Sequence, residues 1–233
     1  MATTEYKLQA TPGGSEVTAI LVKPGNAFSL MVLGPGAGTP IHRPLMVQLA
    51  DALADQGVAT FRYNYPYGER EQVYSVESID PLDVLLATTA AAQEYALALL
   101  PDLPLFLGGR SMSAQVVSLA LTHKDWPDVR GVVLYVFPSR WRHVMDDTVG
   151  HLQGVPVPML FVQGSRDEEA PLPELEALLE DLGNRAVMHV IEGANHSYDM
   201  PPESDRTQKD AIKESASVTA RWMQALVQLE DGA

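Results

Sequence analysis

The chain contains no cysteine. Disulfides, cysteine-ligated zinc, iron–sulfur clusters and a cysteine nucleophile are therefore excluded. Basic residues are scarce: 16 Lys and Arg stand against 30 Asp and Glu, a formal net charge of −14. That balance argues against nucleic acid as a partner, because a phosphate backbone is bound by clustered Lys and Arg. It argues equally against an anionic membrane surface. No stretch approaches the roughly 20 apolar residues of a membrane span. The start, Met1-Ala2-Thr3-Thr4-Glu5-Tyr6-Lys7, has no positive segment leading into an apolar run, so no signal peptide is expected. The expectation is a soluble, cytoplasmic protein; its oligomeric state is not set by the sequence. No internal repeat or low-complexity linker breaks the chain.

What is present is ordinary globular material: 233 residues, 46% hydrophobic and 20% charged, a length that suggests one domain. Alternating runs at Glu5–Ala10 and Ser15–Lys23 flank Gly13-Gly14 and predict a hairpin. Continuous apolar runs predict strands buried on both faces. They lie at Ala27–Leu33, Val58–Tyr63, Leu103–Leu107, Gly131–Phe137, Val157–Val162 and Ala186–Ile191. Helical spacing predicts helices over Pro44–Gln56, Pro81–Leu100, Ser111–His123, Pro171–Leu182 and Asp205–Leu229. Asp80 is the expected N-cap of the second of these, with Pro81 at its first position. Strand and helix alternate with short connections. This implies one α/β domain over 1–233, with a mostly parallel central sheet, an antiparallel N-terminal edge hairpin and helices on both faces. Residues 138–156 have few apolar positions and are expected to form an irregular loop or small lid.

Chemistry concentrates in three loops that follow strands. Gly109-Arg110-Ser111-Met112-Ser113 fits the Gly-x-Ser-x-Gly nucleophile elbow, with Ser113 in place of the last glycine. Small residues two positions either side of Ser111 let strand and helix pack closely while the hydroxyl is lifted clear of the sheet. Asp167 follows a strand in Gly164-Ser165-Arg166-Asp167. Glu168 and Glu169 compete for the acid role, and Asp167 is preferred for its Gly-x-x-Asp spacing. His196 is the only one of six histidines in a loop after the last strand. Ser111, Asp167 and His196 thus appear in the chain order of a Ser-Asp-His triad. Gly34-Pro35-Gly36-Ala37-Gly38 follows the third strand. Its glycines allow a backbone to approach a reacting carbonyl, and the N–H groups of Ala37 and Met112 are the expected oxyanion donors. The loop lacks the Gly-Lys-Ser/Thr ending of a P-loop and the full Gly-x-Gly-x-x-Gly, so no nucleotide or other cofactor is expected. His143, Asp146, Asp147 and His151 lie in a segment of no regular period, so no metal is expected. Gly36, Tyr65, Arg110 and Trp141 are candidate pocket residues. Tyr63, Tyr65 and Tyr67 alternate and should share one face.

On these residues the chain resembles the α/β-hydrolase superfamily, and within it the small hydrolases near the dienelactone-hydrolase branch. Pro35-Gly36-Ala37-Gly38 is similar to their His-Gly-Ala-Gly loop. Phe61-Arg62-Tyr63-Asn64-Tyr65-Pro66-Tyr67 is similar to a Phe-Arg-Phe-Asn-Phe-Pro-Tyr segment. Gly108–Ser113 resembles Gly-Gly-Lys-Ser-Met-Gly, Phe161–Asp167 resembles Phe-Val-Gln-Gly-Thr-Arg-Asp, and Ala194–Ser197 resembles Ala-Asp-His-Ser. The resemblance covers nearly the whole chain and implies an α/β-hydrolase fold with no large cap domain. Its departures are Pro35 for histidine and Ser113 for glycine. The expected activity is serine hydrolysis of a small ester-type substrate. The alternatives are a thioesterase, peptidase or acyltransferase with the same triad, or a catalytically silent interaction module. The acidic excess falls mostly from Asp167 onward, with 15 acids against five Lys and Arg, and is read as a solvating surface.

Overall fold

The computed structural model describes residues 1–11, 14–70 and 76–231. The strands are β1 (Ala2–Gln9), β2 (Glu16–Lys23), β3 (Ser29–Gly34), β4 (Val58–Tyr63), β5 (Leu105–Arg110), β6 (Val129–Tyr135), β7 (Met159–Gly164) and β8 (Ala186–Ile191). The helices are α1 (Pro44–Asp55), α2 (Leu82–Leu99), α3 (Met112–His123), α4 (Leu172–Leu182) and α5 (Gln208–Asp231). One sheet holds all eight strands in the order β1-β2-β4-β3-β5-β6-β7-β8. β1 and β2 pair antiparallel, as do β2 and β4, and every other pairing is parallel. The β1–β2 register runs from Ala2 opposite Lys23 to Gln9 opposite Glu16. Of the expected Gly13-Gly14 turn, Gly13 lies outside the described residues, and the Gly14 N–H donates to the Thr11 carbonyl (2.9 Å).

The continuous apolar runs are buried on both faces because helices cover both. Along β3, Leu30 and Val32 point into the core beneath α2, α3 and α4, while Met31 and Leu33 point into the core beneath α1 and α5. The same alternation divides Leu105 and Leu107 from Phe106 in β5, and Met159 and Phe161 from Leu160 and Val162 in β7. In α1 the buried residues Met46, Leu49, Ala50, Leu53 and Ala54 make one helical stripe. Pro44 opens that helix, where its missing N–H is not needed. Gly57 then takes a φ of +84°, and a Cβ there would press on Phe28 at 3.2 Å.

Two boundaries differ from the pattern for physical reasons. β5 continues through Gly108, Gly109 and Arg110, because packing against Met31, Leu33 and Ser113 leaves no room for side chains at the two glycines. Asp80 does not cap α2. Pro81 occupies the cap position with no side-chain bond. The Asp80 carboxylate instead accepts the Tyr67 N–H (2.7 Å) and pairs with Arg70 (2.5 Å). Segment 138–156 is irregular, with one short 3₁₀ turn at Gly150–Gly154. Buried Gln115 ties it down by donating to the carbonyls of Pro138 and Trp141, both at 2.9 Å. Ser118 and His151 add a hydrogen bond of 2.8 Å.

The sheet order positions the site. From β3 the chain crosses to β4 on one side, and from β4 it crosses back to β5 on the other. The crevice between the ends of β3 and β5 is therefore a topological switch point, where α/β sheets bind ligands.

Two measurements check this packing. Phe161, fully buried against Phe137, is expected to cost about 3–5 kcal/mol on truncation to alanine, read as a fall in the urea midpoint. His151 is held below its ordinary pKa of 6.5 by burial. The native state therefore resists a proton that the unfolded chain accepts, and stability present above pH 6.5 is lost as pH falls through it. The stability difference between wild type and His151→Gln is expected to narrow between pH 7.5 and 5.5.

Candidate active site

The elbow is built by close approach. Ser111 has φ 52° and ψ −120°, a sparsely populated conformation for a non-glycine residue that costs about 1–3 kcal/mol. The surroundings hold it there. Its N–H donates to the Tyr135 carbonyl (2.9 Å), and its carbonyl accepts the Ala114 N–H (2.8 Å). A Cβ on Gly109 would come under 3.0 Å from the backbone of Ser113 and Ala114, so only glycine lets strand and helix meet at this angle. Met112 is the first residue of α3, and its N–H is one of the four that a helix leaves without an internal partner.

The acid and histidine loops are zipped together beyond the ends of β7 and β8. The N–H groups of Ser165 and Arg166 donate to the carbonyls of Ile191 (3.1 Å) and Ala194 (2.9 Å). The Gly193 N–H donates to Ser165 Oγ (2.8 Å). A Cβ on Gly164 would lie 2.9 Å from the Asn195 carbonyl oxygen. Asp167 is buried, with Oδ2 accepting Gln163 Nε2 (2.6 Å) and Oδ1 accepting the Glu169 N–H (3.0 Å). His196 Nδ1 lies 2.8 Å from Asp167 Oδ2 and 3.0 Å from Oδ1. On the other side of the ring, Nε2 lies 2.8 Å from Ser111 Oγ. Asn195 shapes the histidine loop by accepting the N–H groups of Ser197 and Asp199, each at 2.9 Å. Glu168 and Glu169, the competing acids, are exposed.

The loop after β3 has its carbonyls tied away from the serine. The Pro35 carbonyl accepts the Ser113 hydroxyl. The Gly36 carbonyl accepts the Tyr67 hydroxyl and the Thr39 N–H, both at 3.2 Å. The Ala37 carbonyl accepts Thr39 Oγ1 (3.1 Å). Farther on, the Ile41 N–H donates to Asn64 Oδ1 (2.9 Å) and its carbonyl accepts Arg62 Nη1 (3.0 Å). Behind Ser113 lies a chain of buried hydroxyls: Tyr65 contacts it at 3.1 Å, and Tyr63 and Thr89 continue the chain at 3.3 and 2.9 Å. Burial raises the pKa of Tyr63, Tyr65 and Tyr67, so all three remain neutral donors.

The expected residues fall into two groups. Ser111, Asp167 and His196 meet, with Gly36 and Arg110 against them, Met112 next to Ser111 in the chain and Ala37 next to Gly36. Tyr65, expected as a pocket wall, is fully buried and bonded to Ser113. Trp141, also expected in the pocket, packs against the core beneath α3 and contacts the His143 ring at 4.8 Å. It lines neither the cavity of about 410 Å³ that Arg110 and Ser197 border nor the one of about 660 Å³ that Asp167 borders. Among the described residues no group of three His, Asp or Glu converges to hold a metal, and no helix is long and apolar enough to cross a membrane. The pattern gave no role to Gln163, Arg62 or Asn64, and gave Ser113 only that of a small residue at the elbow. Arg62 carried a signal nonetheless, as a charged residue inside the apolar run Val58–Tyr63, whereas Gln163 lies just past the run that ends at Val162.

Comparison with known proteins places this architecture. The sequence matches the alpha/beta hydrolase domain family over residues 27–224, and the chain belongs to that family. Est1E from Butyrivibrio proteoclasticus is similar in structure, with TM-score 0.72 and 15% identity, covering 96% of this chain and 99% of that one. A dienelactone hydrolase from Anabaena variabilis is similar at TM-score 0.70 and 21% identity, covering 96% and 98%. An alpha-beta serine hydrolase homologue from Coxiella burnetii aligns at TM-score 0.70 and 18% identity, covering 95% and 97%. The fold is thus the α/β-hydrolase fold.

Because the Gly109 clash is with backbone, no side chain can move to relieve it. Gly109→Ala is expected to destabilise the protein by about 1–3 kcal/mol, measured by urea unfolding.

Proposed function

We propose that the chain is a serine hydrolase that cleaves an ester-type bond of a small substrate through an acyl-enzyme. The observation that carries this is the continuous contact from Asp167 through both nitrogens of His196 to Ser111 Oγ, at 2.8 Å on each side. His196 Nε2 takes the Ser111 proton as Oγ attacks the carbonyl carbon. Asp167, fixed by Gln163 and the Glu169 N–H, accepts from Nδ1 and stabilises the imidazolium. The carbonyl π electrons move onto oxygen, where the N–H groups of Ala37 and Met112 stabilise the anion. Its collapse expels the alkoxide, which takes the proton from Nε2 and leaves as alcohol. Water then attacks the acyl-enzyme by the same route and releases acid and free serine.

Two facts support ester chemistry over a silent module. His196 Nε2 faces Ser111 Oγ at hydrogen-bond distance, and the strained Ser111 backbone is kept where a structural serine would not need it. Among the similar structures, Est1E is also described with ferulic acid bound, and another is an esterase domain from a Rhodothermus marinus protein. We further propose that residues 1–233 form a single catalytic domain and that the protein acts in the cytoplasm.

The test is covalent labelling by a fluorophosphonate followed by 4-nitrophenyl ester turnover. Labelling at Ser111 is expected in wild type and none in Ser111→Ala, with kcat reduced by several orders of magnitude. Equal turnover by the two proteins would reject the assignment.

A further inference from the structure

Arg110 precedes the proposed nucleophile and is only 9% exposed. Its Nη2 donates to the His196 carbonyl (3.0 Å), but its buried Nε has no partner among the described residues. Arg70, Arg140 and Arg206 each pair with an acid. Arg110 has no carboxylate at ion-pair distance among the described residues. The charges of Asp167 and Asp199 act on it only from beyond contact, and a buried cation with no carboxylate in contact favours the arrival of an anion.

The guanidinium reaches from the elbow to the His196 loop. Arg110 lines a cavity of about 410 Å³ together with Gly38 and Ser197, the chain neighbours of Ala37 and His196; Ser111, Asp167 and His196 do not themselves line it. A Cβ on Gly36 would come under 3.0 Å from Arg110 Nη1 and lie 3.6 Å from Ser111 Cβ. The charged edge of Arg110 and the serine therefore approach the same glycine. Two other charges line the cavity, Arg43 and Asp199. Both are exposed, where solvent and salt screen them, and Asp199 is engaged by Gln208 Nε2 (2.9 Å). Asp167, the nearest buried acid, is occupied by His196, Gln163 and the Glu169 N–H.

From this placement we infer that Arg110 is a specificity determinant that receives a carboxylate on the acyl group. The preferred substrates are then half-esters of short dicarboxylic acids, cleaved at their neutral ester end. This rests on the acyl-transfer role proposed for Ser111. The anion gains a charge-assisted hydrogen bond in a partly desolvated cavity, and the acyl carbon remains within reach of Oγ through a short spacer.

The test compares kcat/KM for mono-4-nitrophenyl glutarate and 4-nitrophenyl hexanoate, esters of similar length that differ in the terminal carboxylate, after correction for spontaneous hydrolysis. Wild type is expected to favour the half-ester by about tenfold or more. Arg110→Met should bring the ratio close to one, and Arg110→Lys should retain part of it. Both esters use the same triad, so any disturbance of the His196 loop cancels in the ratio. Binding is read without turnover by calorimetric titration of glutarate into Ser111→Ala protein. Saturable binding is expected there, with loss when Arg110→Met is added. A wild-type ratio near one, or a ratio unmoved by Arg110→Met, overturns this inference and leaves ester hydrolysis standing. Turnover of neither ester overturns the ester-hydrolase reading, and the glutarate titration then decides the anion site alone: binding lost with Arg110→Met upholds it, and no binding rejects it.

Discussion

The constraint on which the rest depends is the left-handed backbone at Ser111. A serine held at φ 52° must be enforced from outside, because its own preference opposes it. Enforcement comes from the near contact of Gly109 with the first turn of α3, and from ladder bonds that continue β5 and β6 past their ends. Val136, the residue after β6, also has positive φ, at 45°, while its N–H still donates to the Val162 carbonyl (2.9 Å). Two strained residues thus stand side by side at the carboxyl edge of adjacent strands, and the large buried core beneath them outweighs their cost.

On the other flank the stabilising means are polar. A carboxylate with almost no exposure is tolerable only when its lone pairs are occupied, and those of Asp167 are met by an amide, a backbone N–H and an imidazole. The loops that carry Asp167 and His196 share backbone hydrogen bonds, so the separation of acid and base is fixed by main chain more than by side-chain rotamers. This divides the labour: close backbone packing sets the serine, and a satisfied hydrogen-bond network sets its partners.

Much of this was legible in the sequence. Strands buried on both faces write themselves as unbroken apolar runs, and the candidate triad was legible because each member follows such a run. The boundaries were less so, since glycines at 108 and 109 read as loop until their side-chain-free backbone is seen packed against Met31 and Ser113. Asp80 had the composition and position of a cap, but a tertiary partner, the Tyr67 N–H, competed for its carboxylate. Tyr65 and Trp141 show the same limit, because aromatic residues near a site look alike whether they face the cavity or the core. The supporting contacts were the least visible. Ser113 and Pro35 are 78 positions apart, and nothing local in either segment announces that they touch.

That contact changes how the two departures from the family pattern are understood. Taken singly, proline for histidine at 35 and serine for glycine at 113 each suggest an altered oxyanion loop. In space they are one feature, since the Ser113 hydroxyl donates to the Pro35 carbonyl while Tyr65 contacts the same hydroxyl from behind. A hydroxyl has a single proton, so with Pro35 as its acceptor Ser113 takes the Tyr65 hydroxyl as donor. The added side chain also imposes a condition of its own: a Cβ on Gly34 would lie 2.6 Å from Ser113 Oγ and 2.9 Å from the Tyr63 hydroxyl. Gly34, Pro35 and Ser113 therefore form a mutually dependent set, in which a serine at the end of the elbow is compatible with the fold only because the strand facing it ends in glycine.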